Sequence, residues 1–203
     1  MARTWATYEM EEAAHLEGFA VVAGMDEVGR GPLAGPISVG LVILPEGFAE
    51  PVVDSKLLSA KQRTEKATMI RAGAEYYAVE HIEPKFIDAR GVTESLQTAV
   101  RKILQKIDKA PDLILLDGKH NFLQGITPAR TVIKGDMVCA SIAAASILAK
   151  VERDELMREY ALQYPEYGFK TNMGYGTPKH IASIREYGIT PIHRRSFLRK
   201  ILP

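Results

Sequence analysis

Apolar and polar positions alternate along the chain in a pattern that predicts an α/β protein. Apolar runs rich in β-branched and aromatic residues favour buried strands. These runs cover 19–25, 37–44, 74–82, 113–117 and 131–134. The early runs fit an antiparallel meander, whereas the later ones need crossover connections, which predict parallel pairing.

Helical segments separate and flank these runs. An acidic helix is predicted over 7–16, and Ser59 and Gln62 form a capping box that predicts a helix to about Ala72. Further helices are predicted after Thr93, from Asp136 to about Tyr160, and from Thr177-Pro178 to a stop at Gly188. The pattern therefore predicts a mixed sheet covered by helices, with a small flanking element after about Tyr160.

Composition and charge narrow the picture only slightly. The chain has 203 residues, 46% hydrophobic and 25% charged, which suits one globular domain with a real core. Net charge is +1, so the overall field indicates no partner. Basic residues cluster after Thr190 while acidic ones dominate the first 20 residues, which indicates either an anionic partner near the C-terminus or a solvated tail.

Cysteine usage and hydropathy exclude some classes of protein. The single cysteine, Cys139, excludes an intrachain disulfide and a thiolate zinc cage, and it fits a reducing compartment. No signal peptide is recognisable and no apolar run is long enough to span a membrane. We expect a cytoplasmic protein without a membrane partner.

The segment GMDEVGRGPLAGP, residues 24–36, follows the first predicted strand. Its glycines superficially match a dinucleotide-binding loop, but that site needs a helix to begin at the loop. Pro32, Pro36 and the β-branched run that follows favour strand–loop–strand instead. A glycine-rich hairpin remains an alternative, although it does not explain Asp26 and Glu27 at the end of a buried strand, where unpaired charge is costly.

Carboxylates recur at the ends of predicted strands. Asp117 ends LILLD, and Asp136 follows the last strand. If the strands are neighbours, these two residues join Asp26 and Glu27 in one small volume, where mutual repulsion calls for cations. Oxygen ligands suit Mg²⁺ or Mn²⁺, and paired ions can activate water for phosphodiester hydrolysis. Taken singly, Asp136 can be a helix cap and Asp117-Gly118 a turn.

Other catalytic patterns are missing from the sequence. The five histidines form no HExxH motif or close pair, and the serines lack the GxSxG turn of a hydrolase nucleophile. The carboxylate pattern therefore carries the functional hypothesis.

The sequence resembles the bacterial ribonuclease HII family over nearly its whole length. The motifs that carry this resemblance, in the family's order, are MDEVGRGPLAGP (25–36), DSKLLS (54–59), LLDG (115–118), KGD (134–136), ASIAAASILAKVERD (140–154), GYGTPKH (174–180) and HRRSF (193–197). The resemblance implies an RNase H-like fold: a central mixed five-stranded sheet flanked by helices, with a small C-terminal helical element. We expect one domain over 1–203, with 161–203 as a C-terminal extension that contacts substrate.

The resemblance also implies the activity. Members hydrolyse the RNA strand of RNA–DNA hybrids and nick 5′ to a ribonucleotide embedded in duplex DNA, leaving 3′-hydroxyl and 5′-phosphate ends. It implies Mn²⁺ or Mg²⁺ as cofactor, held by Asp26, Glu27, Asp117 and Asp136. Because neighbours on a regular strand point to opposite faces, we expect a bend at Asp26-Glu27 if both serve one site.

The resemblance assigns substrate contacts as well. Gly29, Arg30 and Gly31 match the segment that reads ribose 2′-hydroxyls, and Tyr175 matches the tyrosine at the RNA–DNA junction. Predicted phosphate contacts are Lys56, Ser146, Lys150, Arg194 and Arg195, each of which has ordinary surface charge or a helix-face position as its alternative.

Two other functions are kept open. One is a ribonuclease HIII-like nuclease, which typically carries an extra N-terminal substrate-binding domain that the short N-terminus here does not accommodate. The other is a non-catalytic module that binds RNA–DNA hybrids, against which the four intact acids argue. We expect a monomer.

Overall fold

The centre of the computed structural model is a mixed β-sheet. The structure describes residues 5–48, 51–53, 55–199 and 201. Within them the strands are β1 (Trp5–Ala6), β2 (Val22–Val28), β3 (Ile37–Ile43), β4 (Val52–Val53), β5 (Tyr76–Ile82), β6 (Leu113–Asp117) and β7 (Ala129–Val132). Five form the central sheet in the order β5-β3-β2-β6-β7, and β1 pairs with β4 separately. β2-β3 and β3-β5 are antiparallel and β2-β6 and β6-β7 are parallel, which confirms the predicted pairing.

Helices cover this sheet. They are α1 (Glu9–Leu16), α2 (Ala60–Gly73), α3 (Pro84–Leu104), α4 (Gly135–Val138), α5 (Ala140–Gln163), α6 (Phe169–Asn172) and α7 (Pro178–Tyr187), with 3₁₀ turns at Ser55–Leu57, Pro165–Tyr167 and Arg195–Phe197. The capping box of Ser59 and Gln62 is confirmed at the start of α2. Thr177 accepts a hydrogen bond from the backbone N–H of His180 and so caps α7. No described helix has both the length and the apolar character needed to cross a membrane.

The sheet is buried on both faces. All seven residues of β3 are buried because its side chains alternate between two cores, one with α3 and one with α5. α5 lies unusually close to the sheet: a Cβ on Gly24 would lie 2.1 Å from the backbone of Ser141, and one on Gly40 would lie 2.4 Å from the Ala145 carbonyl oxygen. The two glycines therefore let α5 lie across the sheet, where it carries polar side chains toward the end of β2.

The C-terminal segment packs on the body through its own apolar cluster. This cluster joins Leu33 and Met157 to Tyr167, Phe169 and Ile184. An isolated bridge also pairs Ala34 with His193. The segment is thereby fixed beside the loop that follows β2.

Two helix predictions were wrong in their boundaries. α3 begins at Pro84, earlier than the helix predicted after Thr93, but the non-helical Gly91 (φ 78°, ψ 173°) divides it, and its second helical segment begins directly after Gly91, close to Thr93. The helix predicted from Asp136 is interrupted at Cys139, which is extended because it forms a β-bridge with Thr7. Asp54 of the DSKLLS motif and Lys200 of the basic tail lie outside the described residues.

Candidate active site

A cleft opens where β6 ends and β2 continues. β6 pairs with β2 only as far as Met25, whereas β2 runs on to Val28 along β3. The edge of β2 at Asp26 and Glu27 is therefore not covered by β6, and Asp117 ends β6 beside it. The cleft encloses about 380 Å³. Its lining includes Asp26, Glu27, Gly29, Arg30, Gly31, Ser55, Lys56, Arg63, Asp117, Ser146, Lys150 and Tyr175.

Asp26 and Glu27 reach this cleft without a bend in the strand. Their register with Gly40 and Val39 of β3 is continuous, so the expected bend was wrong. Successive side chains of β2 still alternate between the two faces of the sheet. Asp26 lies on the face that α5 covers, where Ser146 can donate a hydrogen bond to it. Both side chains line one cleft because they flank the same uncovered strand edge, one from each face.

Asp117 and Asp136 are brought together by a tight turn. Lys134 adopts the left-handed conformation (φ 56°), and the next backbone N–H, that of Gly135, donates to Asp117 Oδ1 at 2.7 Å. Asp136 follows in α4, buried, and its Oδ2 accepts a hydrogen bond from Lys56 Nζ. The KGD motif thus ties the end of β6 to the start of α4. We call Asp26, Glu27, Asp117 and Asp136 the acidic cluster.

The acidic cluster is electrostatically unsatisfied. Burial, and then the neighbouring Glu27 carboxylate, raise the pKa of Asp26 to about 8. Burial also raises the pKa of Glu27 and of Asp117, with Asp136 adding to the effect on Asp117. Arg30 Nη1 donates to Glu27 Oε1 at 2.9 Å, but Glu27 Oε2 is buried and has no hydrogen-bond partner among the described residues. An unpartnered buried oxygen among carboxylates fits a bound hard cation.

The side chains are not preassembled as a metal cage. Among the residues that the structure describes, no group of three or more His, Cys, Asp or Glu side chains is arranged to hold a metal ion. Lys56 instead lies on Asp136, a contact that a cation would have to replace.

Basic and hydroxyl side chains line the side of the cleft formed by α2 and α5. The Lys150 ammonium bonds the Asp154 carboxylate, and burial lowers the pKa of Lys150. Ser146 and Ser55 share a hydrogen bond of 3.2 Å. Sequence analysis missed Ser55 and Arg63; Arg63 donates to the carbonyls of Ser55 and Leu58. The one sequence feature that could have pointed to Arg63 is its position in the first turn of a capped helix, which is a weak indication of a site residue.

The loop of residues 29–35, which we call the glycine loop, forms the opposite wall. Gly29 (φ 91°) and Gly35 (φ 85°) have positive φ, which favours glycine. Gly29, Arg30 and Gly31 line the cleft together with Tyr175, whose side chain is 47% exposed. The structure therefore places the predicted ribose-reading residues beside the acidic cluster.

Tyr175 is held by a directional chain of two buried histidines. The backbone N–H of Thr190 donates to His193 Nδ1 at 3.0 Å, so that nitrogen carries no proton. In the neutral ring His193 Nε2 then donates to His180 Nε2 at 3.1 Å, and His180 Nδ1 donates to the Tyr175 carbonyl at 2.8 Å. Burial lowers the pKa of both histidines, that of His193 to about 4.

Two predicted phosphate contacts are not in the cleft. Arg194 is fully buried and donates to the carbonyls of Gly29, Arg30 and Gly35, so its assignment as a phosphate contact was wrong. Arg195 is exposed, but it lies in a separate depression beside Asp88, which accepts its backbone N–H at 2.9 Å. The HRRSF motif thus supports the glycine loop through Arg194, the first arginine of the motif.

Comparison with known proteins adds a family match. The family model described as Ribonuclease HII matches residues 23–200. The chain is 43% identical over 204 residues to Ribonuclease HII of Ruminiclostridium cellulolyticum, covering 100% of this chain and 79% of that protein.

Solved structures agree on the fold. The ribonuclease H2 from Pyrococcus horikoshii OT3 matches with a TM-score of 0.74 and 29% identity, covering 89% of this chain and 96% of that one. Bst-RNase HIII in complex with Mn²⁺ matches with a TM-score of 0.66 at 20% identity, covering 93% of this chain and 71% of that one. The second match shows the fold alone.

Proposed function

This chain belongs to the ribonuclease HII family and is a ribonuclease H, and we propose that it nicks duplex DNA 5′ to embedded ribonucleotides. In RNA–DNA hybrids it hydrolyses the RNA strand. Both reactions leave 3′-hydroxyl and 5′-phosphate ends. The observation that carries the proposal is that three members of the acidic cluster, Asp26, Glu27 and Asp117, line one cleft with Gly29–Gly31 of the glycine loop.

The acidic cluster supplies the hydrolytic side of the site. Asp26, Glu27, Asp117 and Asp136 would hold Mg²⁺ or Mn²⁺, because a carboxylate set suits hard divalent ions. Two such ions, when bound, activate a water and stabilise the leaving oxygen of a phosphodiester. The raised pKa of Asp26 and the unpartnered Glu27 Oε2 support this role, because both indicate carboxylate oxygens that the described side chains leave without a cation.

The glycine loop and Tyr175 supply recognition of the ribose. Bare glycine lets the backbone approach the sugar, where only the 2′-hydroxyl distinguishes RNA from DNA. The exposed ring of Tyr175 can stack at the junction with DNA. Tyr175 also supports the proposal that 161–203 is a substrate-contacting extension. Lys56, Ser146 and Lys150 line the same cleft, which supports their proposed role as phosphate contacts.

Mapping the cleavage site on a labelled duplex with one ribonucleotide tests this proposal. We expect a single nick on the 5′ side of the ribonucleotide, present with Mg²⁺ or Mn²⁺ and absent with EDTA. The same duplex made only of DNA serves as the control and stays intact. Binding without cleavage under every divalent metal would support the non-catalytic module instead.

A further inference from the structure

Arg194 is a buried cation whose guanidinium, within the part of the chain that the structure describes, donates hydrogen bonds to backbone carbonyls alone. Its guanidinium donates to the carbonyl oxygens of Gly29 at 2.7 Å, Arg30 at 3.1 Å and Gly35 at 2.9 Å. It is fully buried and forms no ion pair within the described residues. Burial, and then repulsion from the Arg153 charge, lower the pKa of Arg194 to about 9.

Such an arrangement is a costly way to fill a core. An apolar side chain of similar volume avoids the desolvation of a charge. A guanidinium differs because its rigid planar fork can donate to several acceptors at once and so fix their relative positions. The three acceptors lie at both ends of the glycine loop, so Arg194 sets the loop's shape.

The orientation of the carbonyls fixes the orientation of the amides. In a trans peptide the C=O of one residue and the N–H of the next point in opposite directions, and the described residues contain no cis peptide bond. Because Arg194 turns the Gly29 and Arg30 carbonyls inward, the N–H groups of Arg30 and Gly31 point away from Arg194, and both residues line the cleft. In the described part of the chain neither N–H has a protein acceptor.

Arg153 holds the same loop from α5. Its Nε donates to the Pro36 carbonyl at 2.9 Å, and its Nη2 to that of Ala34 at 3.3 Å. A Cβ on Gly29 would lie 2.3 Å from Arg153 Nε, so the loop backbone lies directly on this guanidinium. Arg153 supports the end of the loop at Ala34 and Pro36, and among the described side chains only Arg194 bonds the carbonyls of Gly29 and Arg30.

We propose that Arg194 is a positioning residue that aims the backbone N–H groups of Arg30 and Gly31 at the substrate ribose and thereby sets the preference for a ribonucleotide. The oxygen of a 2′-hydroxyl can accept from such an N–H, whereas a deoxyribose offers no acceptor there. The inference rests on the proposed function, and it adds the residue on which ribose recognition depends.

The test compares Arg194→Met and Arg194→Lys with the parent protein. Arg185→Met is the matched control, because Arg185 is an exposed arginine on α7 in the same C-terminal segment. In an Asp26→Asn background, which suppresses cleavage, duplex affinity is measured with and without one ribonucleotide. Hydrogen exchange of residues 29–35 is followed in the same proteins.

We expect Arg194→Met to lower the preference for the ribonucleotide duplex roughly tenfold, the worth of a well-placed hydrogen bond or two. Affinity for the all-DNA duplex should change by less than about twofold, and cleavage by the otherwise unmodified enzyme should fall roughly 10- to 100-fold. Exchange in 29–35 should accelerate. Arg194→Lys should be intermediate, since an ammonium donates without the planar fork, and Arg185→Met should match the parent.

Unchanged preference and unchanged exchange in Arg194→Met would overturn the inference, and so would an equal loss of affinity for both duplexes, which marks a purely structural role. If Arg194→Met does not fold, the same criteria apply to Arg194→Lys. If the parent neither cleaves nor prefers the ribonucleotide duplex, the proposed function fails, while the exchange rates still decide whether Arg194 holds the loop.

Discussion

The two walls of the cleft are built on opposite electrostatic principles. The acidic cluster places like charges together, with Glu27 Oε2 left without a hydrogen-bond partner in the described structure. The glycine loop has its inward carbonyls satisfied by two buried guanidiniums. Arg30 and Lys56 each pair with one acid, but they neutralise the acidic cluster only in part, whereas the protein itself satisfies these carbonyls of the glycine loop.

The two walls therefore affect the stability of the folded protein in opposite directions. Buried carboxylates that are close together and only partly neutralised destabilise the folded protein, which is the usual trade-off between stability and activity. Guanidiniums that satisfy buried carbonyls stabilise the fold while they shape the loop. Neutralising an acid should thus remove activity without loss of stability, and removing Arg194 should reduce both.

The largest expected effect is on catalysis by the acidic cluster. Asp26→Asn should lower the rate of nicking by roughly 10³-fold or more, because an amide cannot supply the charge that the site requires. Single-turnover cleavage of a duplex with one ribonucleotide measures it. Glu155→Gln, an exposed acid on α5, is the matched control and should keep the parent rate. Robust nicking by Asp26→Asn would remove Asp26 from the catalytic residues.

The next effect is on the stability of the glycine loop wall. Arg194→Met leaves three buried carbonyls without their donor, so the free energy of unfolding should fall by about 2–4 kcal/mol. Urea denaturation measures this, with Arg185→Met expected within about 0.5 kcal/mol of the parent. Equal midpoints for both variants would show that the guanidinium does not support the fold.

A smaller effect is a stability gain at the acidic cluster. The folded pKa of Asp26, about 8, lies above the ordinary value of 3.8, so the folded state binds the extra proton between these values. Stability of the metal-free protein should therefore decrease as pH rises from about 4 to 8. Asp26→Asn should flatten this decrease and gain roughly 0.5–2 kcal/mol at pH 8. Thermal unfolding in EDTA across this range checks it, and a loss of stability at pH 8 would contradict the contrast between the walls.

The smallest expected effect is the contribution of His193 to stability, which depends on pH in the opposite direction to that of Asp26. The folded pKa of His193, about 4, lies below the ordinary value of 6.5, so the unfolded state binds the extra proton between them. This histidine's contribution should therefore be lost as pH falls from 6.5 toward 4. His193→Gln should weaken that acid-side loss and cost about 1 kcal/mol at pH 7 through its hydrogen bonds. The same series of unfolding measurements covers both pH ranges. If the loss of stability between pH 6.5 and 4 is unchanged in His193→Gln, His193 is not the group that causes it.

Much of the fold followed from local pattern. β3 and β6 are continuous apolar runs, and the caps at Ser59 and Thr177 are side-chain bonds between near neighbours in sequence. The helix predicted after Thr93 matches the segment of α3 that follows Gly91, whereas the segment that begins at Pro84 was not predicted. Cys139 breaks the helix expected from Asp136 through its bridge to Thr7, a contact distant in sequence that no local pattern reports.

The site, too, contains residues that could be predicted from local sequence and one that could not. Asp26, Glu27, Asp117 and Asp136 were recognisable because carboxylates at the ends of buried strands have few structural explanations. Arg194 was misassigned because a basic residue in a basic tail resembles a phosphate contact, and its burial against the glycine loop depends on residues distant in sequence.

The sequence by itself determined the five strands of the central sheet, the capped starts of α2 and α7 and the candidate acids, because periodicity, caps and strand-end charges are local properties. Only the tertiary structure decided that Asp26 and Glu27 share one cleft without a bend in the strand. This arrangement depends on the pairing of β6 with β2 ending at Met25, which leaves the following edge of β2 open. Only the tertiary structure placed Arg194 beneath the glycine loop, because its acceptors lie more than 150 residues away in sequence.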